Sequence, residues 1–200
     1  LNTTVKAVLV LTGLAGLLLF QAWPTFGSYF MVDDFMWLAF GRDVHSAWTI
    51  AAQASPGGWT TPIPNLVFYF LFQAFGYSAT GYYLTVLLLH LVNICLIFSL
   101  VFVVVRRQIV ALVAAALFAV LFLHWSDWGP LVWISAFVQL IAALFYIGSI
   151  TLFIHYLRSG RTVEYVVSIV LFCCALLSKE TALSLPLVLV AAVLLLDGSN

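Results

Sequence analysis

Two adjacent carboxylates, Asp33 and Asp34, stand in the stretch YFMVDDFMWLAF (29–40), which contains no other charged residue. Paired carboxylates in apolar surroundings acquire the proton affinity that a general base requires. The alternative is a pair of solvent-facing acids at a helix N-terminus, where the helix dipole stabilises negative charge. The pair is the first candidate for catalytic chemistry.

A second pair of charges, Lys179 and Glu180, interrupts an apolar stretch (163–196) within LLSKETALSLP (176–186). Each apolar arm is shorter than the roughly 20 residues of a bilayer span. We therefore expect a helical hairpin whose recessed tip lets the Lys179 ammonium bind a phosphate. The alternatives are a Lys179–Glu180 ion pair, snorkelling of Lys179 to the headgroups, or a continuous helix kinked at Pro186.

The segment HWSDWGPLVW (124–133) supplies two further candidates for substrate binding, His124 and Asp127. Its tryptophans are typical of a membrane-interface belt. Arg42, eight residues after Asp34, is a candidate for the same role. The sequence does not display the ligand spacing of a metal site, and we predict neither a metal nor a cofactor.

The composition indicates that water is not the solvent of most of the chain. Of the 200 residues, 65% are hydrophobic and 7% are charged, whereas soluble domains are roughly 45–50% apolar. Seven basic and seven acidic residues give no net charge, which argues against a nucleic-acid partner. We expect an all-α, polytopic integral membrane protein.

The apolar runs predict about six transmembrane helices. These runs are 5–22, 82–105, 109–123, 134–157, 163–177 and 182–196. The predicted spans divide the basic residues between the two sides of the membrane. One side holds Lys6, Arg106, Arg107, Arg158 and Arg161. Only Arg42 and Lys179 fall on the other side. By the positive-inside rule the first side is cytoplasmic, so the candidate residues face outward.

The first outer connection (23–81) is long, and long connections are where function is usually built. Within it, DDFMWLAFGRDV (33–44) predicts a short interfacial helix anchored by Trp37 and Phe40. IPNLVFYFLFQAF (63–75) is short for a span and predicts an interfacial or re-entrant helix. In the span that follows, His90 and Asn93 share one helix face, which favours hydrogen bonds between helices.

This order of features resembles the GT-C glycosyltransferases, especially the protein O-mannosyltransferase-like and tetratricopeptide-associated membrane branch. It comprises a first span, an outer loop with an Asp pair, an interfacial segment, a His-bearing span, VWIS and LLSKETALSLPLVL. The segment LLSKETALSLPLVL is the most specific part of the resemblance. Residues 1–200 would then be the N-terminal part of such a transmembrane domain, and we expect this part to be inactive by itself.

The resemblance implies transfer of a sugar from a polyprenyl-phosphate donor to a protein, lipid or glycan acceptor outside the membrane, with a bacterial inner membrane as the expected location. Asp33 or Asp34 would be the catalytic base, Lys179 would hold the carrier phosphate, and Glu180 would orient Lys179 or contact sugar. The chain departs from related sequences at Thr61, where they often carry Arg. It also has Gly129 where they often carry an acid, for which Asp127 is a substitute.

The competing class is a non-catalytic membrane protein, either a transporter or an assembly subunit that retains the same scaffold. A transporter predicts polar residues near the midplane of several spans and broken helices in paired halves. Here the polar groups gather in the outer connections, with His90 and Asn93 as the main exceptions. That distribution favours chemistry at the membrane surface.

Overall fold

The computed structural model describes residues 3–23, 27–44, 46–55, 58, 60–124 and 133–197. Every regular element in these ranges is helical, which confirms the all-α prediction. The helices are α1 (Thr3–Ala22), α2 (Asp34–Asp43), α3 (Ala47–Ala52), α4 (Pro62–Phe75), α5 (Ala79–Val105), α6 (Gln108–His124), α7 (Phe137–Ser159), α8 (Thr162–Leu176) and α9 (Leu185–Asp197). Short 3-10 helices, Ile134–Ala136 and Glu180–Ser184, precede α7 and α9.

Local residue chemistry explains where several helices begin and end. Pro62 opens α4, where its fixed φ suits the first helical turn and its missing N–H costs nothing. Gly160 ends α7 with a φ of 69°, a left-handed conformation that glycine adopts without strain. Arg106 ends α5 in the same region, with a φ of 59°. The connections after α5 and α7 are therefore tight.

Two helical stretches in the described ranges, Ala79–Val105 and Ile134–Ser159, are long and apolar enough to cross a membrane. The 27 residues of the first extend about 40 Å at 1.5 Å per residue, more than a bilayer core of about 30 Å. The other apolar helices are shorter. They are Pro62–Phe75, Gln108–Val120, Thr162–Leu176 and Glu180–Leu194.

Helix α5 is the centre of the bundle and packs against both α6 and α7. The buried Asn93 amide donates to the Leu140 carbonyl oxygen at 2.9 Å, and the His90 Nε2 atom lies 3.3 Å from the Ala119 carbonyl oxygen. These contacts confirm the predicted hydrogen bonds between helices. They join α5 to α7 and to α6 without placing a charge inside the bundle.

Helices α5 and α7 run in parallel, because Asn93 lies beside Leu140 and, further along both helices, Val103 packs with Ile150. Both therefore begin at one end of the bundle, which we call the aromatic end. They finish at the other, the arginine end, where Arg158 donates hydrogen bonds to the last carbonyl groups of α5.

Small residues bring α8 close to α7. A Cβ built on Gly148 would lie 3.1 Å from the Leu171 side chain, and the buried hydroxyls of Ser149 and Ser168 each donate to the other residue's carbonyl oxygen at 2.9 Å. Small residues and reciprocal hydroxyl bonds are the usual means of joining apolar helices in lipid.

An aromatic cluster holds α2 and α4 on the aromatic end. Phe68 of α4 lies 5.1 Å from the ring of Trp37, 5.3 Å from Tyr82 and 5.5 Å from Phe137, measured between ring centroids. Trp37 is 7% exposed, so the prediction that it anchors α2 in the interface was wrong. Its face of α2 is covered by α4, and Phe40 packs at the edge of the same cluster.

Substitution of Gly81 tests the close turn between α4 and α5. An added Cβ would lie 2.3 Å from a ring carbon of Phe75, so Gly81→Ala displaces that ring and costs about 1–3 kcal/mol of stability. The matched control is Gly16→Ala in α1, where nothing lies within 4 Å of the added methyl group. Thermal unfolding in detergent measures both, and a Gly81→Ala protein as stable as wild type would contradict this packing.

Candidate functional site

One cavity at the aromatic end, which we call the charged cavity, is lined by charged residues from distant parts of the chain. Its volume is about 260 Å³. It lies between the start of α2, the segment before α4, the start of α7 and the turn after α8. The lining residues are Asp33, Trp37, Ser55, Thr61, Trp133, Ser135, Ala136, Val138, Gln139, Lys179 and Glu180.

A tight turn places the two acids in different directions. The Asp34 N–H donates to the Met31 carbonyl oxygen at 2.8 Å, and Val32 has a φ of 43°. A β-branched residue in the left-handed region is strained. The Asp34 carboxylate offsets this strain by accepting a 3.0 Å hydrogen bond from the Met31 N–H. Asp33 stands at the N-cap position of α2, where its side chain makes no capping hydrogen bond.

The Asp34 carboxylate is fully buried and joins α2 to the beginning of α7. Its Oδ1 atom accepts hydrogen bonds from the Ser135 backbone N–H at 2.7 Å and from the Ser135 hydroxyl at 2.5 Å. With Met31 on the other oxygen, both carboxylate oxygens are occupied. Hydrogen bonds to a charged group are the stronger kind. Asp34 is therefore a positioning residue.

Asp33 is different, because its half-buried carboxylate lines the cavity. Among the side chains and backbone groups that the structure describes, none donates a hydrogen bond to this carboxylate or pairs with it. The sequence made both Asp33 and Asp34 candidates for the base, and the resemblance placed Asp33 first as the leading acid of the pair. The Asp34 carboxylate accepts hydrogen bonds from Met31 and Ser135, whereas the Asp33 carboxylate is open to the cavity. The geometry therefore favours Asp33 as the base, and the choice between the two acids stays a prediction.

Lys179 and Glu180 reach the cavity from a reversal of the chain after α8. The N–H groups of Ser178 and Lys179 both donate to the Ala175 carbonyl oxygen at 3.0 Å. Beyond the turn, the Ser184 hydroxyl lies 3.0 Å from the Tyr146 hydroxyl on α7, and Leu185 packs beside Ile150 and Ile154. Helix α9 thus returns along α7, as the hairpin hypothesis requires, and a continuous kinked helix is excluded.

The charges at this turn do not neutralise each other. Within the described part of the chain, Lys179 forms no ion pair with Glu180 or with another carboxylate. The half-buried ammonium and the exposed Glu180 carboxylate both line the cavity. A partly desolvated ammonium without a counter-ion can bind an anion.

A polar network missed by the sequence analysis forms another wall. The buried hydroxyls of Ser55 and Thr61 lie 2.7 Å apart. The buried Asn65 amide donates to the carbonyl oxygens of Ile50 at 3.1 Å and Gln53 at 3.0 Å, which ties the end of α3 to α4. The amide of Asn65, one of two within IPNLVFYFLFQAF, was the signal that could have pointed to this network.

The remaining sequence candidates are not brought to the cavity by the described structure. Arg42 lies exposed near the end of α2, does not line the cavity, and donates to both Asp43 oxygens at 2.6 and 3.0 Å. This hydrogen-bonded pairing raises the pKa of Arg42 above its ordinary value. His124 is the last residue of α6, and nothing is described of its side chain. Asp127 lies outside the described residues.

The chemistry available at the cavity is that of an acid–cation pair on one surface. Asp33 can accept a proton and Lys179 can stabilise an anion. In the described ranges, no group of three or more His, Cys, Asp or Glu side chains is arranged to hold a metal ion. Comparisons with protein-family models, curated proteins and solved structures found no match to this chain.

The different surroundings of the two acids predict different effects on stability. Asp34→Asn replaces an acceptor oxygen by a donor where N–H groups already converge, and costs about 1.5–3 kcal/mol. Asp33→Asn changes stability by less than about 0.5 kcal/mol, since it breaks no such contact. Thermal unfolding of the two amide variants in detergent measures the difference, and equal stabilities would contradict the assignment of Asp34 as the positioning residue.

Proposed function

We propose that this chain belongs to an integral membrane glycosyltransferase that transfers a sugar from a polyprenyl-phosphate carrier to an acceptor hydroxyl. The observation that carries the proposal is the cavity, which is lined by the Asp33 carboxylate and the Lys179 ammonium, both unpaired within the described part of the chain. The resemblance of VWIS and LLSKETALSLPLVL to the GT-C enzymes supports the same chemistry.

We infer a location in a membrane with about six spans, the number that the apolar runs predict, and the surface of the bundle supports the location. Large apolar side chains face outward on several helices, for example Leu88, Ile109 and Leu187, which are 63%, 68% and 76% exposed. Water would make such surfaces prone to aggregation, whereas lipid chains solvate them. The arginine end is the cytoplasmic end by the positive-inside rule, so the cavity opens outward, in a bacterium at the inner membrane.

In the proposed reaction, the Asp33 carboxylate accepts the proton of the acceptor hydroxyl as its oxygen attacks the anomeric carbon. The bond from that carbon to the phosphate oxygen breaks, and polyprenyl phosphate leaves with an additional negative charge. The Lys179 ammonium stabilises this charge, which is larger in the transition state than in the ground state. Glu180 contacts the sugar or orients Lys179. The proton then passes from Asp33 to water.

A second cavity suits the polyprenyl chain of the carrier. It has a volume of about 320 Å³ and shares Gln139 with the charged cavity. It continues between α7 and the 3-10 helix Glu180–Ser184, past Ala143 and Ile147. A phosphate held at Lys179 would thus have an apolar channel beside it, which supports a lipid-linked substrate over a soluble nucleotide sugar.

The non-catalytic alternative is favoured less by the same observations. A transporter needs available polar groups near the midplane, but the amide nitrogen of Asn93 and the ring of His90 already contact carbonyl groups of neighbouring helices. The available charges that the structure describes lie at the two ends of the bundle. This distribution agrees with chemistry at one membrane surface.

The direct test is sugar transfer by the complete protein in membranes, with a panel of polyprenyl-phosphate sugars. Asp33→Asn should reduce transfer by about 100-fold or more, because the base is lost. Lys179→Ala should also reduce kcat, because the leaving phosphate loses its counter-charge. The matched control is Asp43→Asn, whose carboxylate is exposed and lies away from the charged cavity.

The outcomes separate the competing functions. Loss of transfer in both cavity variants, at normal expression and with Asp43→Asn active, supports the proposal. Unchanged transfer in both would make Asp33 and Lys179 structural. If the wild-type protein transfers none of the sugars in the panel, the result favours a transporter or an assembly subunit.

Filling the second cavity tests its proposed occupant. Ala143→Trp should raise KM for a long-chain polyprenyl donor and leave KM for a short-chain analogue nearly unchanged, because only the long chain would extend past residue 143. Leu187→Trp, on an exposed face of α9, is the control for added bulk. Equal effects of Ala143→Trp on both donors would place the chain elsewhere.

A further inference from the structure

We propose that the arginine end binds the headgroup of an anionic phospholipid through Arg106, Arg107 and Arg158. This inference rests on the proposed membrane location and not on glycosyl transfer. It concerns the end of the bundle opposite to the charged cavity, where the connections after α5 and α7 meet.

The ends of two helices place Arg158 beside the residues that directly precede Arg106 and Arg107. Arg158, near the end of α7, donates hydrogen bonds to the carbonyl oxygens of Val103 and Val104 in the last turn of α5. Arg106 and Arg107 follow directly and are exposed. Arg158 therefore lies against the last turn of α5, just before Arg106 and Arg107. Its hydrogen bonds go to neutral carbonyl groups, which do not cancel its charge.

Glu164, in the first turn of α8 at this end, is already engaged. Glu164 pairs with Arg161 at 3.5 Å and accepts a 2.5 Å hydrogen bond from the Ser159 hydroxyl. Among the described groups, none forms an ion pair with Arg106 or Arg107. Arg106, Arg107 and Arg158 thus carry positive charges that no ion pair among the described residues neutralises, and the oxygens of a phosphodiester suit the planar fork of a guanidinium group.

The apolar surface beside the cluster favours a lipid over a small soluble anion. Val104, Val105 and Ile109 are 44%, 43% and 68% exposed, and they adjoin Arg106 and Arg107 in the chain. A headgroup phosphate at the arginines would let the acyl chains lie along these side chains. Basic clusters at the cytoplasmic ends of apolar helices attract anionic lipids in this way.

The experiment is thermal unfolding of the complete, purified protein in detergent with added phosphatidylglycerol, phosphatidylcholine or soluble glycerophosphate. We expect phosphatidylglycerol to raise Tm by several degrees and the other two to have little effect, since only a ligand of the folded state stabilises it. The double variant Arg106→Gln, Arg107→Gln should lose most of this rise. Arg106→Lys, Arg107→Lys should retain much of it, and Arg42→Gln should retain all of it.

Three results would overturn the inference: equal shifts with phosphatidylglycerol and phosphatidylcholine, an equal shift with glycerophosphate, or a full shift in the double Gln variant. If the double Gln variant does not fold, the single variant Arg107→Gln must show a reduced shift, or the inference fails. The measurement needs no sugar transfer, and Asp33→Asn should show the wild-type shift. Failure here therefore leaves the proposed function untouched, and the reverse also holds.

Discussion

The hydrogen bonds between Asp34 and Ser135 are the contact on which the candidate site depends. They join residues 101 positions apart and hold the turn before α2 against the start of α7. Burying a carboxylate is costly unless its oxygens are satisfied, and here Met31 and Ser135 satisfy both oxygens. Because this anchor fixes the turn, the neighbouring carboxylate of Asp33 is directed to the cavity without a contact of its own.

Charge distribution links this anchor to the rest of the molecule. The interior of the bundle carries neutral polar groups, such as Asn93 and Ser149, which bond to carbonyl groups of adjacent helices. The unneutralised charges of the described residues lie at the ends instead, with Asp33 and Lys179 at one end and arginines at the other. An apolar bundle with charged ends suits a bilayer, where each buried charge would cost several kcal/mol.

The sequence predicted what depends on local pattern. Unbroken apolar runs predicted α5 and α7, and the charges inside an apolar stretch predicted the turn at Lys179. Tertiary pairing was not readable: the partnership of Asp34 with Ser135 has no local signal, because the two residues lie 101 positions apart in the chain. The amide of Asn65 marks a polar position in an apolar segment but does not identify its partners, because these are backbone carbonyl oxygens. The burial of Trp37 was missed for the same reason, since α4 covers it.

Cross-linking from outside the cell tests most directly that Asp33 and Lys179 face one outward cavity. With the three native cysteines replaced by serine, Asp33→Cys and Lys179→Cys are combined and treated with a short, membrane-impermeant bis-maleimide. The account predicts an intramolecular cross-link in intact cells, and none when Asp33→Cys is combined with Arg107→Cys at the opposite end. Absence of the cross-link, or labelling only after the membrane is opened, would contradict it.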